Sequence, residues 1–331
     1  MSQLKTPLLK VKNLETQFET SQGIIKAAND ISFEINSGEI IGIVGESGCG
    51  KSVTALSIMQ LIPKPHGKIT SGQILYKNTD MLKLKEKEMQ KIRGKEISII
   101  FQEPMTSLNP VLTIEKQLLE QLLHHLGLKY KDAYIKAIEL LEMVGMPDPE
   151  SVLKKYPHNL SGGMRQRIMI AIAISCNPKL IIADEPTTSL DVTIQAQILE
   201  TLKFICQTSG TALILITHNL GIIARYAKRV IVMYAGKIIE EGNSLDIYHS
   251  PKHPYTSGLL KSVPKLNNAP DVKLQAIPGS PPDLHRLPTG CSFRPRCFLA
   301  NDQCKIEPNL TPISEQHWSA CWNHSELKQN L

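Results

Sequence analysis

Aromatic residues make up only 5% of this 331-residue chain. That is too few to build the stacking platforms on which single-stranded nucleic acids are held. Strong charge of one sign is also missing. The formal net charge is +6, and the basic residues are spread along the chain. The one Lys-rich stretch, 83–95, contains Glu86 and Glu88 and is followed by Glu96, which reads as a solvated helix rather than a nucleic-acid stripe. No apolar run approaches the roughly 18 residues that a membrane-spanning helix needs. Met1-Ser2-Gln3-Leu4-Lys5 lacks the apolar core of a secretory signal. The expectation is a chain that stays in the cytoplasm and meets any membrane through a partner. Internal repeats are absent too. With 42% apolar residues the chain can bury a substantial core, as one large domain or two smaller ones.

What is present begins with Gly45-Glu46-Ser47-Gly48-Cys49-Gly50-Lys51-Ser52, which reads G-x-x-x-x-G-K-S. The apolar run Ile40–Val44 before it predicts a buried strand, and Ser52–Met59 after it predicts a helix. Strand, glycine loop and helix are the context that a phosphate loop of nucleoside triphosphatases requires. Glycines let backbone N–H groups converge on phosphate oxygens, and the helix start adds partial positive charge. Lys51 is expected to reach the β- and γ-phosphates and the Ser52 hydroxyl to sit on Mg²⁺.

Before the loop, Leu8–Val11 and Ile31–Ile35 predict strands, and beyond it so do Gly72–Tyr76 and Ile97–Phe101. Residues 113–145 carry apolar positions at helical spacing, including Ile114, Leu118, Leu122, Leu126, Ala137, Leu140, Leu141 and Val144, which predicts a separate helical lobe. Strands then alternate with helices again: Leu180–Ala183, a helix from about Val192 to Thr208, Ala212–Ile216, a short helix over Ile222–Ala227, and Val230–Met233. That alternation predicts a parallel sheet covered on both faces. Beyond Ser250 the chain turns rich in proline, so residues 251–331 read as a loop-rich extension rather than a second core domain.

Two further strings carry chemistry. Asp184-Glu185 ends a buried strand, where carboxylates face the ligand edge of a parallel sheet. Asp184 suits a Mg²⁺ partner, and Glu185 suits a general base that polarises the attacking water. Leu160-Ser161-Gly162-Gly163-Met164 leads into a helix over Met164–Ser175, and the N–H groups at such a start form an anion site.

The order of these motifs resembles the ATP-binding subunit of an ABC transporter. Gly45–Ser52 matches its phosphate loop, Gln102 the Q-loop glutamine, Leu160–Met164 the signature, Leu180–Glu185 the second nucleotide motif, Ser189-Leu190-Asp191 the D-loop and His218 the switch histidine. Phe18, 27 positions before Gly45, is the candidate for stacking on adenine. The resemblance implies an α/β fold: a P-loop NTPase (RecA-like) core with an antiparallel β subdomain and a helical subdomain at about 105–165, all within 1–250, followed by the cysteine-containing extension 251–331. It implies that ATP is held by Phe18, Gly45, Glu46, Ser47, Gly48, Cys49, Gly50, Lys51, Ser52, Val53, Gln102, Ser161, Gly162, Gly163 and Asp191. Mg²⁺ falls to Ser52, Gln102 and Asp184, and catalysis to Glu185, His218 and Lys51.

A closer resemblance links Ile100–Pro110, Asp184–Gln197, His253-Pro254-Tyr255-Thr256, Pro281–Leu284 and Gly290–Cys297 to oligopeptide and dipeptide permease ATPases. Ser52-Val53 and Glu103-Pro104-Met105 are similar to the D-type subunit of that family. The resemblance implies a homologous F-type ATPase partner, two transmembrane permease subunits, an external peptide-binding protein and a peripheral place on the cytoplasmic face of the membrane. Other cargoes of the same machine, namely nickel, glycosides or antimicrobial peptides, stay open. So does a soluble ABC ATPase acting on DNA or ribosomes.

Seven cysteines remain to be placed. Cys49, Cys176 and Cys206 are scattered and read as free thiols. Cys291, Cys297, Cys304 and Cys321 crowd the tail without C-x-x-C spacing, which leaves zinc, an iron–sulfur cluster and free thiols all open. The family resemblance implies a [4Fe–4S] cluster of structural role on these four cysteines, with zinc as the alternative and His317 and His324 as bystanders.

Overall fold

The computed structural model of the chain describes residues 6–188, 190–262 and 276–327. Ser189 of the D-loop string and Pro264 of the proline-rich stretch lie outside these residues. The chain divides into two compact units, one from Met1–Ile35, Ile40–Leu82 and Leu215–Leu331, the other from Asn36–Glu39 and Lys83–Ile214.

The first unit opens with β1 (Leu9–Thr20) and β2 (Gly23–Ile35), an antiparallel hairpin in which Leu9 faces Ile35 and Val11 faces Phe33. β3 (Ile40–Val44) is buried at every position and delivers the phosphate loop to α1 (Lys51–Ile58). β4 (Gly67–Tyr76) and the two-residue β5 (Thr79–Asp80) complete a four-stranded antiparallel sheet in the order β2-β1-β4-β5. Its inward face is apolar, with Leu9, Val11, Leu14, Ile31, Ile35 and Ile74 fully buried. Each such side chain contributes roughly 1.5–3 kcal/mol. A buried hydrogen bond of 2.8 Å between the Thr16 and Ser57 hydroxyls ties β1 to α1.

The second unit begins with α2 (Glu86–Ile92) and β6 (Ile97–Ile100). Five helices follow: α3 (Pro104–Ser107), α4 (Ile114–Leu126), α5 (Tyr130–Met143), α6 (Pro149–Leu153) and α7 (Gly162–Ile174). The helical lobe read at 113–145 is therefore α4 and α5, with Leu118, Leu122, Ala137, Leu140 and Leu141 buried as the spacing demands. β7 (Leu180–Asp184) runs parallel to β6, with Ile97 opposite Leu180 and Ile100 opposite Ala183. α8 (Val192–Ser209) starts on an Asp191 cap and ends at Gly210 in a left-handed conformation. β8 (Ala212–Thr217) then carries the chain out of the second unit.

Back in the first unit, α9 (Leu220–Tyr226), β9 (Arg229–Tyr234) and β10 (Lys237–Asn243) follow. β9 lies parallel to β3 and antiparallel to β10. The proline-rich extension holds more order than its composition predicts. After α10 (Ser244–His249) it forms α11 (Pro254–Lys261), which buries Tyr255, Thr256, Leu259 and Leu260. Further on, β11 (Thr311–Ser314) pairs with β12 (His317–Ser319), and β12 pairs with β10. In this unit the strand order is thus β11-β12-β10-β9-β3. The seam is held by Glu240, fully buried, which accepts hydrogen bonds from Lys252 N at 2.5 Å, His253 N at 3.0 Å and the His317 imidazole at 2.7 Å. His317 is therefore a structural partner.

Candidate functional site

β3 ends at Val44, so the phosphate loop leaves the sheet at its carboxyl edge. Gly45 is hemmed in: a Cβ there would come within 2.3 Å of Met233 O and 2.6 Å of Cys49 Sγ. Gly50 adopts φ +104°, and its Cβ would meet Ala27 O at 2.2 Å. No other residue type fits either place without displacing backbone. The Lys51 side chain, 3% exposed, curls back so that its ammonium donates to Gly45 O at 2.8 Å and Glu46 O at 3.0 Å. Ser47 and Gly48 are exposed at the tip, whereas Ser52 and Val53 are half-buried in the first turn of α1. Burial pushes the Cys49 thiol up. Phe18 is half-buried on β1, opposite Gly67 of β4. His218 is exposed just beyond β8, next to Asn219, whose side-chain Oδ1 caps α9 by accepting from Gly221 N and Ile222 N.

In the second unit the parallel register of β6 and β7 aligns the chain that follows each strand. Gln102 leaves β6 as Asp184 and Glu185 close β7, and Gln102 Nε2 donates to Glu185 Oε2 at 3.2 Å. Thr188 Oγ1 donates to the same oxygen at 3.0 Å. Glu185 is 8% exposed and holds φ +46°, a strained conformation for a residue with a side chain. The signature turn lies at the start of α7, where the Ser161 hydroxyl caps Met164 N at 3.4 Å. A Cβ on Gly162 would lie 3.5 Å from Leu190, and one on Gly163 3.2 Å from Ile194. The signature and the D-loop end of α8 are therefore neighbours. Asp191 Oδ1 accepts from Ile194 N at 3.0 Å.

Three residues near these motifs escaped the sequence reading. Thr188 reaches Glu185 from three positions away. The Tyr255 hydroxyl accepts from Glu46 N at 2.7 Å across 209 positions. The Arg296 guanidinium forks onto the Glu46 carboxylate at 2.7 and 3.0 Å across 250 positions. Only the His253–Thr256 and Gly290–Cys297 strings flagged those two neighbourhoods, and spacing could not say what they touch.

The tail cysteines correct an expectation. Among the described residues no group of three or more His, Cys, Asp or Glu could hold a metal ion. The Cys304 thiol instead donates to Asn301 Oδ1 at 3.4 Å, and Cys297 Sγ accepts from Leu299 N at 3.4 Å. Burial pushes Cys291 up, Cys297 to about 11 and Cys321 to about 12. That burial disfavours the thiolate form in which cysteine binds metal. The iron–sulfur assignment is withdrawn, and zinc with it.

Residues 28–188 match the ABC transporter family, and residues 239–304 match the oligopeptide/dipeptide transporter C-terminal region. The oligopeptide transport ATP-binding protein AppD of Bacillus subtilis is 54% identical over 96% of this chain and 97% of its own. The dipeptide transport ATP-binding protein DppD of the same organism is 51% identical over 95% and 94%. A solved post-hydrolysis dimer of the ATP-binding cassette MJ0796 bound to ADP and Pi superposes with a TM-score of 0.65 at 28% identity, covering 71% of this chain and 98% of that one. The chain belongs to the ATP-binding subunits of ABC transporters, and it is an ATPase of the cassette fold. Its match to AppD and DppD runs through the extension as well as the cassette.

Proposed function

We propose that this chain powers a membrane importer of di- and oligopeptides from the cytoplasmic face. The reading is carried by one observation: identity of 54% to an oligopeptide transport ATP-binding protein across 96% of the chain. No described helix is long and apolar enough to cross a membrane. Transmembrane permease subunits supply the path, as the match to peptide transport ATP-binding proteins supports. The second ATPase is a homologous ABC cassette rather than an F-type subunit. Residues 1–250 act as the nucleotide-binding domain and 251–331 as its extension.

ATP lies on the phosphate loop, with Phe18 against adenine, Lys51 on the β- and γ-phosphates and the loop amides around them. Ser52, Gln102 and Asp184 offer a hydroxyl, an amide and a carboxylate, an all-oxygen set that fits Mg²⁺. The metal neutralises charge on the phosphates when bound. Glu185 takes the proton of the attacking water, and Gln102 and Thr188 hold its carboxylate in place. His218 contacts the γ-phosphate. Ser161, Gly162, Gly163 and Asp191 close on the nucleotide held by the partner cassette. The γ-phosphate binds the closed pair better than the open one, so its hydrolysis releases the pair and drives transport.

Uptake of labelled di- and oligopeptides tests the proposal. Cells lacking this chain should lose that uptake and regain it with the wild-type gene. Retained peptide uptake, with loss of nickel or glycoside uptake instead, overturns the cargo assignment.

A further inference from the structure

Glu46 is an odd residue for a loop built to hold a triphosphate. Its carboxylate is an anion in an anion site, where like charges repel. The structure answers that charge from the far end of the chain. Arg296 Nη1 and Nη2 reach the two Glu46 oxygens at 2.7 and 3.0 Å, a bidentate fork. The Arg296 side chain is 6% exposed and that of Glu46 24%. The fork is itself fixed: Arg296 Nε donates to Pro278 O at 2.9 Å, Nη1 reaches the Tyr234 hydroxyl at 3.4 Å, and the guanidinium lies 5.9 Å from the Tyr234 and Phe293 rings. Tyr255 takes the backbone N–H of the same Glu46. Tyr234, Tyr255 and Phe293 form one aromatic cluster beneath, with ring centroids 4.6 to 5.4 Å apart. A cavity of about 160 Å³ separates Ser47, Gly48 and Cys49 from Pro281, Pro282 and Leu284. Glu46 is thus held by side chain and main chain, both times by residues beyond 250.

We infer that Arg296, acting through Glu46, is a positioning residue of the phosphate loop, and that the C-terminal extension thereby sets the affinity for ATP. The pair neutralises the one carboxylate in the loop and pins the residue that follows Gly45. The inference rests on the nucleotide occupying Gly45–Ser52.

The test uses the full-length chain with its partner subunits, measuring binding of a fluorescent ATP analogue together with KM and kcat for ATP. Arg296→Met should raise KM about tenfold, a modest share of the cost of stripping one member from a buried charge pair, with the loss falling in KM more than in kcat. Arg296→Lys should recover only part of it, because an ammonium keeps the charge but cannot fork. Combining Arg296→Met with Glu46→Gln should raise KM no further than the worse single change, since both remove one interaction. Wild-type affinity in both Arg296 variants, or additive effects in the double variant, overturns the inference. If Arg296→Met does not fold, Arg296→Lys decides: a KM raised twofold or more supports it, and a wild-type KM overturns it. Lys51→Ala separates the two readings. Loss of ATP binding there with wild-type behaviour at Arg296 removes only this inference, whereas retained binding removes the placement of ATP itself.

Discussion

Glu185 holds a left-handed backbone, two hydrogen-bond donors on one oxygen and a place at the mouth of a parallel strand pair. Its substitution by Gln preserves shape and removes the carboxylate proposed as the base. ATP binding should persist while steady-state hydrolysis falls by about 100-fold or more, the usual share of general base catalysis; hydrolysis near the wild-type rate would discard the assignment. Gly50→Ala should act differently, through the fold. With φ +104° and Ala27 O only 2.2 Å from the added methyl, the change should cost about 1–3 kcal/mol and lower the midpoint of thermal unfolding. The loop and the acidic pair were legible in the sequence because their chemistry is local: a glycine must stand where the backbone turns, and a carboxylate where the strand ends. Arg296 and Tyr255 were not, because a contact over 209 or 250 positions leaves no trace in spacing. The cysteines misled for the complementary reason. Family resemblance suggested ligands, whereas among the described residues the fold gathers no group of three or more such side chains fit to hold a metal.

Among the elements, strands β3, β7, β8 and β9 could be read because continuous apolar runs declare burial on both faces, and α4 and α5 because their apolar stripes recur at helical spacing. β10 and the β11–β12 pair could not. Lys237–Asn243 carries two glutamates, and Glu240 is tolerable in a buried strand only because His317 and two backbone amides meet it. Glu240→Ala should leave those amides unsatisfied at about 1–3 kcal/mol each, visible as faster proteolysis within 276–327. His253 offers a pH test at α11, where its Nδ1 accepts from Tyr255 N at 3.1 Å. Burial holds this imidazole down at about 3, against 6.5 for the free side chain. The unfolded segment therefore takes up the proton first, so stability is full above pH 6.5 and is lost as pH falls toward 3. His253→Asn keeps an acceptor and cannot charge. Amide exchange in α11 should become less pH-dependent over that window, and an unchanged dependence would remove His253 as the cause.

For the molecule as a whole, the expected unit of action is a pair of cassettes. Glu185→Gln protein mixed with its homologous partner should form an ATP-dependent complex on size exclusion, and ADP should not support it. Complex formation indifferent to nucleotide would separate this chain from the proposed cycle. The same tail that reaches the loop also bounds the sheet: β12 covers β10, and β11, with Pro312 in it, lies outermost. Bare strand edges recruit other strands, and proline at an edge blocks that recruitment. A version of the protein cut after residue 250 would present β10 uncovered, and its first failing would be self-association into aggregates rather than any loss of chemistry.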